Sequence, residues 1–306
     1  MTSASASESA QPILPLAGRS ALVTGVSRRR GIGYAVALRF AELGANVFIH
    51  HFAPHDTVQS WGGDDLDAVR DGIRSSLAPG ARFGDASADL SLPGAAAELV
   101  RRAAEELGQL HLLVCNHARS GADGSIFDMT AERLDGHWQV NARSTLLLTR
   151  AFAEQFGSAA PTGAVEGVTT PTAPGVRQTR AEPIDEFSTG RVFWMTSGQL
   201  HGAMPGEVAY AASKAALAGV TPTVASDLLA HGIILNTIDP GPVNTGYLDP
   251  ETTDRPLDGI QEQVVSSPFG RYGAPTDPAR LIGWLATDEG RWVVGQVVTS
   301  DGGFQL

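Results

Sequence analysis

Residues 20–44 read SALVTGVSRRRGIGYAVALRFAELG, and the order of residue types inside that stretch decides the fold. Ser20 to Thr24 is a short apolar strand, Gly25 to Gly33 is a glycine-rich turn holding the arginines Arg28, Arg29 and Arg30, and Tyr34 to Leu43 is a helical run stopped by Gly44. A strand, a glycine turn and a helix in that order bring a pyrophosphate against a helix N-terminus, where glycines permit close backbone approach and free N–H groups meet the anion. Glycines at a helix start also occur as plain turn chemistry, so the rest of the chain must supply the other parts of such a site.

Outward from there, strand and helix patterns alternate. Asn46 to His51, NVFIHH, reads as a second strand; 64–78 and 94–107 have helical spacing, with Arg82 to Leu90 between them; Leu110 to Cys115 is a buried-strand pattern. Thr130 to Phe156 reads as one long helix, Arg191 to Met195 as a fifth strand and Gly232 to Ile238 as a sixth. Such alternation predicts an α/β fold: a doubly wound parallel sheet of about seven strands in a single domain, helices on both faces, ligands at the strands' C-terminal edge. Pro222 falls inside the helix expected after the fifth strand and should kink it. Residues 157–190 are rich in Gly, Pro, Thr and Ala without periodicity and read as a flexible insertion at the N-terminal end of the fifth strand.

The chain has 306 residues, 42% hydrophobic and 18% charged, with a net charge of −11, which suits a globular domain and argues against a nucleic-acid-binding surface. Cys115 is the single cysteine, so no intramolecular disulfide forms and a reducing compartment is expected. No apolar run approaches the roughly 18 residues of a membrane span. The start, MTSASASESAQP, lacks the basic and apolar regions of a signal peptide, so residues 1–17 read as a disordered tail and the cytoplasm as the location.

A second stretch carries chemistry. Phe193 to Lys214 reads FWMTSGQLHGAMPGEVAYAASK: Tyr210 and Lys214 lie four apart in an Ala-rich helical run, on one face, and Ser197 ends the preceding strand. Lys214 is the only lysine, against 21 arginines. An ammonium beside a phenol favours the phenolate and brings proton transfer within reach of neutral pH, and a serine hydroxyl can bond the reacting oxygen. An ordinary solvated helix face is the alternative reading of any single Tyr-x-x-x-Lys.

Ser197, Tyr210 and Lys214 at this spacing, with Thr24, Gly25, Gly31 and Gly33 in the glycine turn, resemble the short-chain dehydrogenase/reductase family over roughly residues 18–306. The resemblance implies a Rossmann-like fold and an enzyme that interconverts a ketone and an alcohol by hydride transfer, with Tyr210 as general acid/base, Lys214 lowering its pKa, Ser197 polarising the carbonyl and Asn141 supporting a proton relay. Among family activities the nearest likeness is to 3-oxoacyl-carrier-protein reductases. The cofactor is expected at Gly25, Ser27, Arg28, Arg30, Gly31, Ile32 and Gly33, at Asp89 and Leu90, at Asn116 and Ala118, and at Tyr210 and Lys214. The turn of Pro240, Gly241, Val243 and Thr245 should lie beside the nicotinamide, and 246–268 should be the substrate loop. The turn between Gly25 and Gly31 is two residues longer than the family's, and Arg119 stands where the family has glycine. The resemblance also implies a homotetramer or homodimer packed through the helices of Asn141 and Tyr210.

The end of the second strand, where an acid would bind a ribose 2′-hydroxyl, falls at His51; with no acid there and Arg28 to Arg30 adjacent, NADP(H) is expected over NAD(H). A non-catalytic NAD(P)-binding sensor is an alternative to the enzyme. An enoyl reductase is a further one, although that branch places its tyrosine seven before the lysine, where this chain has Glu207. No metal is expected: His50, His51 and His55 form the only histidine cluster and lack a carboxylate–His pattern. Leu200, Met204, Tyr247 and Leu248 suggest a small organic carbonyl or alcohol as substrate.

Overall fold

The computed structural model describes residues 14–158 and 189–306. In chain order the first half runs β1 (Ser20–Val23), α1 (Ile32–Glu42), β2 (Asn46–His51), α2 (Ala53–Asp56), α3 (Leu66–Ser76), β3 (Phe83–Ser87), α4 (Ala95–Leu107) and β4 (Leu112–Cys115). The second half runs α5 (Ala131–His137), α6 (Ser144–Ser158), β5 (Gly190–Met195), α7 (Val208–Leu229), β6 (Ile233–Asp239), α8 (Asp258–Ser266), α9 (Thr276–Ala286) and β7 (Val297–Thr299). The strands form one seven-stranded sheet in the order β3-β2-β1-β4-β5-β6-β7, every pair parallel.

Both faces of the sheet are covered, which is why its central strands carry apolar residues toward both sides rather than at alternate positions only. Val23, Ile49, Val114, Phe193 and Ile238 point to one side, where Val36 and Phe40 of α1 and Ile282 of α9 meet them. Leu22, Phe48, Leu113, Trp194 and Leu235 point to the other, against Leu99 of α4, Phe152 of α6 and Leu217 of α7. Trp194 is fully buried, and its indole N–H donates to Thr149 Oγ1 at 2.9 Å, so the ring carries no unpaired donor into the core.

Two expectations need correction. The tail does not extend to residue 17: Leu14 to Ala17 make a turn, Leu16 is fully buried on the α1 side of the sheet, and its N–H donates to the Leu43 carbonyl at 2.8 Å. Residues 1–13 lie outside the described residues. The helix expected over 130–156 is divided, because Trp138–Arg143 between α5 and α6 has π-helical bonding. Helix α7 spans Val208 to Leu229 with Pro222 inside it. The substrate loop 246–268 contains α8. Of the insertion 157–190, Gly157 and Ser158 complete α6 and Gly190 opens β5; all but Thr189 of the rest lies outside the described residues.

Candidate active site

A cavity of about 420 Å³ opens at the C-terminal edge of the sheet, where β1, β2, β4, β5 and β6 end. The glycine turn forms its floor, with Gly25, Ser27, Arg28, Gly31 and Ile32 on the wall. Gly25 has φ +71, and a Cβ built there would stand 2.7 Å from the His117 Cα. Only glycine satisfies both that backbone and that space. At Gly33 a Cβ would come within 2.6 Å of both the Gly25 carbonyl oxygen and Asn116 Nδ2, so Gly33 lets α1 press against the turn and is not itself on the wall. Asn116 clamps the turn from the β4 side, its Nδ2 donating to the Thr24 and Gly25 carbonyls at 3.2 and 3.1 Å.

The extended turn reaches across the cavity mouth. Arg28 donates to the Thr245 carbonyl at 2.8 Å and pairs with Asp56 at 3.2 Å; Arg30 pairs with Asp249 at 2.7 Å; Arg29 pairs with Asp64 and holds that carboxyl down to about 2. Each of the three arginines therefore has a carboxylate partner; Arg28 lies on the cavity wall, and Arg30 lines a second hollow that shares Arg28 and Trp61 with it.

His51 is displaced from its expected position. Strand alternation turns it to the Val47 and Ile49 side, where its Nε2 meets Asp85 at 3.0 Å beside Arg70. His50 faces the cavity instead: its Nδ1 accepts from the Gly25 N–H at 3.3 Å, its Nε2 meets the Ala88 carbonyl at 2.9 Å, and burial lowers its pKa to about 4. The wall continues through Phe52, His55, Asp56 and Trp61, a segment the sequence reading left unassigned. The three neighbouring histidines diverge, and among the described residues no cluster of His, Cys, Asp and Glu could hold a metal ion.

Asp89, Leu90, Asn116 and Ala118 lie on the wall as expected. Arg119, in the family's glycine position, also lines it; its N–H donates to Asn141 Oδ1 at 2.6 Å and its carbonyl accepts from Asn141 Nδ2 at 3.1 Å. A third bond joins Asn141 Nδ2 to Ser213 Oγ at 2.9 Å. Asn141 is fully buried in the π-helical turn and stands behind the wall, tying the β4 loop to α7. The π bonding there widens one turn of an otherwise α-helical run, as such turns do at sites where a side chain is redirected.

Ser197 and Tyr210 share the inner wall of the cavity, their hydroxyls close enough for Ser197 to act on the phenol. Desolvation pushes the Tyr210 phenol up to about 12, with the neighbouring Ser197 hydroxyl opposing the shift. Lys214 lies behind Tyr210, 5.8 Å from the ring centroid, with Nζ donating to the Met195 carbonyl at 2.9 Å. It is 2% exposed, off the cavity wall, and desolvation lowers its pKa from 10.5 to about 8. In this arrangement burial is the larger influence on both groups: it raises the phenol and disfavours the lysine's charge.

Pro240, Gly241, Val243 and Thr245 close the far wall. Gly241 has φ +65, and a Cβ there would meet Asp301 Cβ at 2.4 Å, so the Asp301-Gly302-Gly303 tail packs directly beneath this turn. On the substrate side stand Met204, Tyr247, Glu207 and Arg255. Arg255 pairs with Glu207 and with Asp254 at 2.8 Å and lies 4.9 Å over the Tyr247 ring. Leu200 is 45% exposed and Leu248 is buried, both off the wall, so this side is more polar than the sequence implied. Glu207 and Arg255 lie 48 positions apart in otherwise unmarked segments, and no sequence signal joins them.

The chain matches the family model described as Enoyl-(Acyl carrier protein) reductase over residues 25–173 and 176–305. It is 31% identical over 284 residues to the uncharacterized oxidoreductase YjdA of Bacillus subtilis, covering 93% of this chain and 96% of that protein. Identity is 30% over 298 residues to an NADPH-dependent aldehyde reductase-like chloroplastic protein of Arabidopsis thaliana, covering 96% and 97%. Among solved structures, a short-chain dehydrogenase of Burkholderia cenocepacia in complex with NADP superposes with a TM-score of 0.71 at 30% identity, covering 95% of this chain and 100% of that one.

Proposed function

Because the chain belongs to the short-chain dehydrogenase/reductase family, we propose that it is an NADP(H)-dependent oxidoreductase interconverting a ketone and a secondary alcohol, with Tyr210 as general acid/base. The observation that carries this reading is Tyr210 beside Ser197 on the inner wall of a cavity whose floor is the glycine turn.

The residues present fit a dinucleotide. Gly25 and Gly33 hold the turn too close to its neighbours for any side chain, and the N-terminus of α1 opens at Gly31, which makes no side-chain cap. Gly25, Ser27, Gly31 and Ile32 would hold the pyrophosphate, Asp89 and Leu90 the adenine, Asn116 and Ala118 the adjoining ribose, and Val243 and Thr245 the carboxamide, above the Pro240-Gly241 turn. Bound there, NADPH supplies the hydride.

Tyr210, protonated at neutral pH, donates its proton to the carbonyl oxygen as charge develops there, and Ser197 orients that oxygen. Lys214, released from the Met195 carbonyl, stabilises the phenolate left behind, and Asn141 holds the π-helical turn through which the proton is replaced. Arg28 is the wall cation for a 2′-phosphate; NADP(H) over NAD(H) rests on it and on the names of the relatives in Arabidopsis and Burkholderia. The substrate is a small carbonyl compound or alcohol that tolerates the Glu207–Arg255 pair. Leu134, Trp138 and Leu147 are 42%, 45% and 38% exposed on the α5–α6 run and suit packing against a second copy, in a homodimer or homotetramer. The family model's description favours an enoyl reductase as second reading; Glu207, where that branch has tyrosine, weighs against it.

The test is a panel of ketones, aldehydes and one enoyl thioester assayed with NADPH and NADH in parallel, on the wild type and Tyr210→Phe. The expected result is ketone turnover with NADPH, lost at least a thousandfold in Tyr210→Phe while NADPH binding stays. Undiminished turnover in Tyr210→Phe removes the assigned role, and turnover of the thioester alone selects the second reading.

A further inference from the structure

A helix presents unpaired N–H groups at its start, and the residue before it usually accepts one through its side chain. Helix α7 departs from this. Its N-cap residue, Glu207, makes no cap bond and turns its side chain into the cavity toward Arg255. The orphan donors are taken by a loop 80 and more residues earlier in the chain. Gly124 O accepts from the Val208 N–H at 3.2 Å, Asp123 Oδ1 from the Ala209 N–H at 3.0 Å, and Asp123 Oδ2 from the Tyr210 N–H at 2.7 Å. We infer that Asp123 is the positioning residue of the active site, fixing Tyr210 relative to the β4 loop that carries Asn116, Ala118 and Arg119.

The surroundings of Asp123 are built for that task. Its side chain is 6% exposed, and its Oδ1 also accepts from the Gly124 N–H at 2.8 Å, so three backbone donors hold the carboxylate. His137, fully buried, donates through Nδ1 to the Arg133 carbonyl at 2.9 Å and leaves Nε2 without a hydrogen-bond partner, 3.8 Å from Asp123 Oδ2. Ala122, immediately before, is the one non-glycine with positive φ among the described residues, at +51. An alanine pays for that left-handed backbone, and it persists only where the surroundings over-determine it. The strained step aims Asp123 at α7. Because the same loop lines the cavity, the phenol is registered to the cofactor wall through one carboxylate, independently of the Asn141–Ser213 bond further along the helix.

The inference rests on the proposed role of Tyr210 for its kinetic consequence only; the structural consequence is separate. Asp123→Ala and Asp123→Asn are compared with wild type on the ketone of the panel with the highest turnover. Asp123→Ala lowers kcat at least tenfold with KM for the ketone and Kd for NADPH within threefold, and amide hydrogen exchange at Tyr210 accelerates at least tenfold. Asp123→Asn, which keeps one acceptor oxygen but turns an N–H₂ toward the second donor, falls between. Should Asp123→Ala retain kcat within twofold, or lose kcat, NADPH affinity and thermal stability in proportion as a general unfolding would, the inference is overturned. Unchanged exchange at Tyr210 overturns it even if no panel compound is a substrate, whereas full activity of Tyr210→Phe overturns the proposed function and leaves the exchange result standing.

Discussion

Replacing Lys214 with methionine isolates what burying the chain's only lysine costs. The side chain is 2% exposed and its pKa falls from 10.5 to about 8 because desolvation disfavours the ammonium. At about 1.4 kcal/mol per unit, keeping Lys214 charged in the fold costs about 3 kcal/mol below pH 8. The sign follows from proton counting: between pH 8 and 10.5 the unfolded chain keeps the lysine proton and the native chain has released it. Stability supplied through this residue therefore rises with pH across that window. Methionine fills a similar volume without a charge but abandons the Met195 carbonyl, a loss of about 1–3 kcal/mol that offsets the gain at pH 7. Midpoints alone are thus uninformative, and the pH slope decides. Urea unfolding followed by tryptophan fluorescence at pH 7, 8.5 and 10, without cofactor, should show wild type gaining about 3 kcal/mol on Lys214→Met as pH rises. Parallel curves within about 0.5 kcal/mol would refute the buried-charge account.

Two further outcomes follow from the geometry. Gly33→Ala forces a methyl to within 2.6 Å of the Gly25 carbonyl and of Asn116, which should cost about 1–3 kcal/mol in thermal unfolding and weaken NADPH binding in a fluorescence titration, because backbone must shift to admit it. Arg255→Ala strands Glu207, whose carboxyl burial already raises, and frees the 246–268 segment from α7; KM for the ketone should rise about tenfold with Kd for NADPH unchanged, checked by steady-state kinetics.

Element types were legible because their periodicity was strong: strand β2 occupies the six residues read for it, β5 starts one residue earlier than read, and β6 is shifted by one residue. The glycine turn and the Ser197-Tyr210-Lys214 set were legible because their chemistry restricts residue type and spacing. His51 failed because alternation moves a side chain to the opposite face with a single-residue change in register, and nothing in NVFIHH distinguishes one histidine from the next. Leu16 was missed because Pro12 and Pro15 beside a Ser-rich start read as loop, although a single leucine can dock without a periodic partner. The Glu207–Arg255 pair, the wall segment with His55 and Trp61, and the Asp123 cap are long-range contacts between segments of ordinary composition, and only tertiary packing creates them.

The chain's two sheet edges have divided labour. The candidate site gathers where the strands finish, whereas Thr189, at the end of the stretch between α6 and β5, lies where the fifth strand starts, and that strand's six residues set it about 20 Å from Ser197. A reporter domain or binding peptide grafted between Ser158 and Thr189 would join the fold at the edge opposite the cavity, giving an engineer a docking port away from the candidate site.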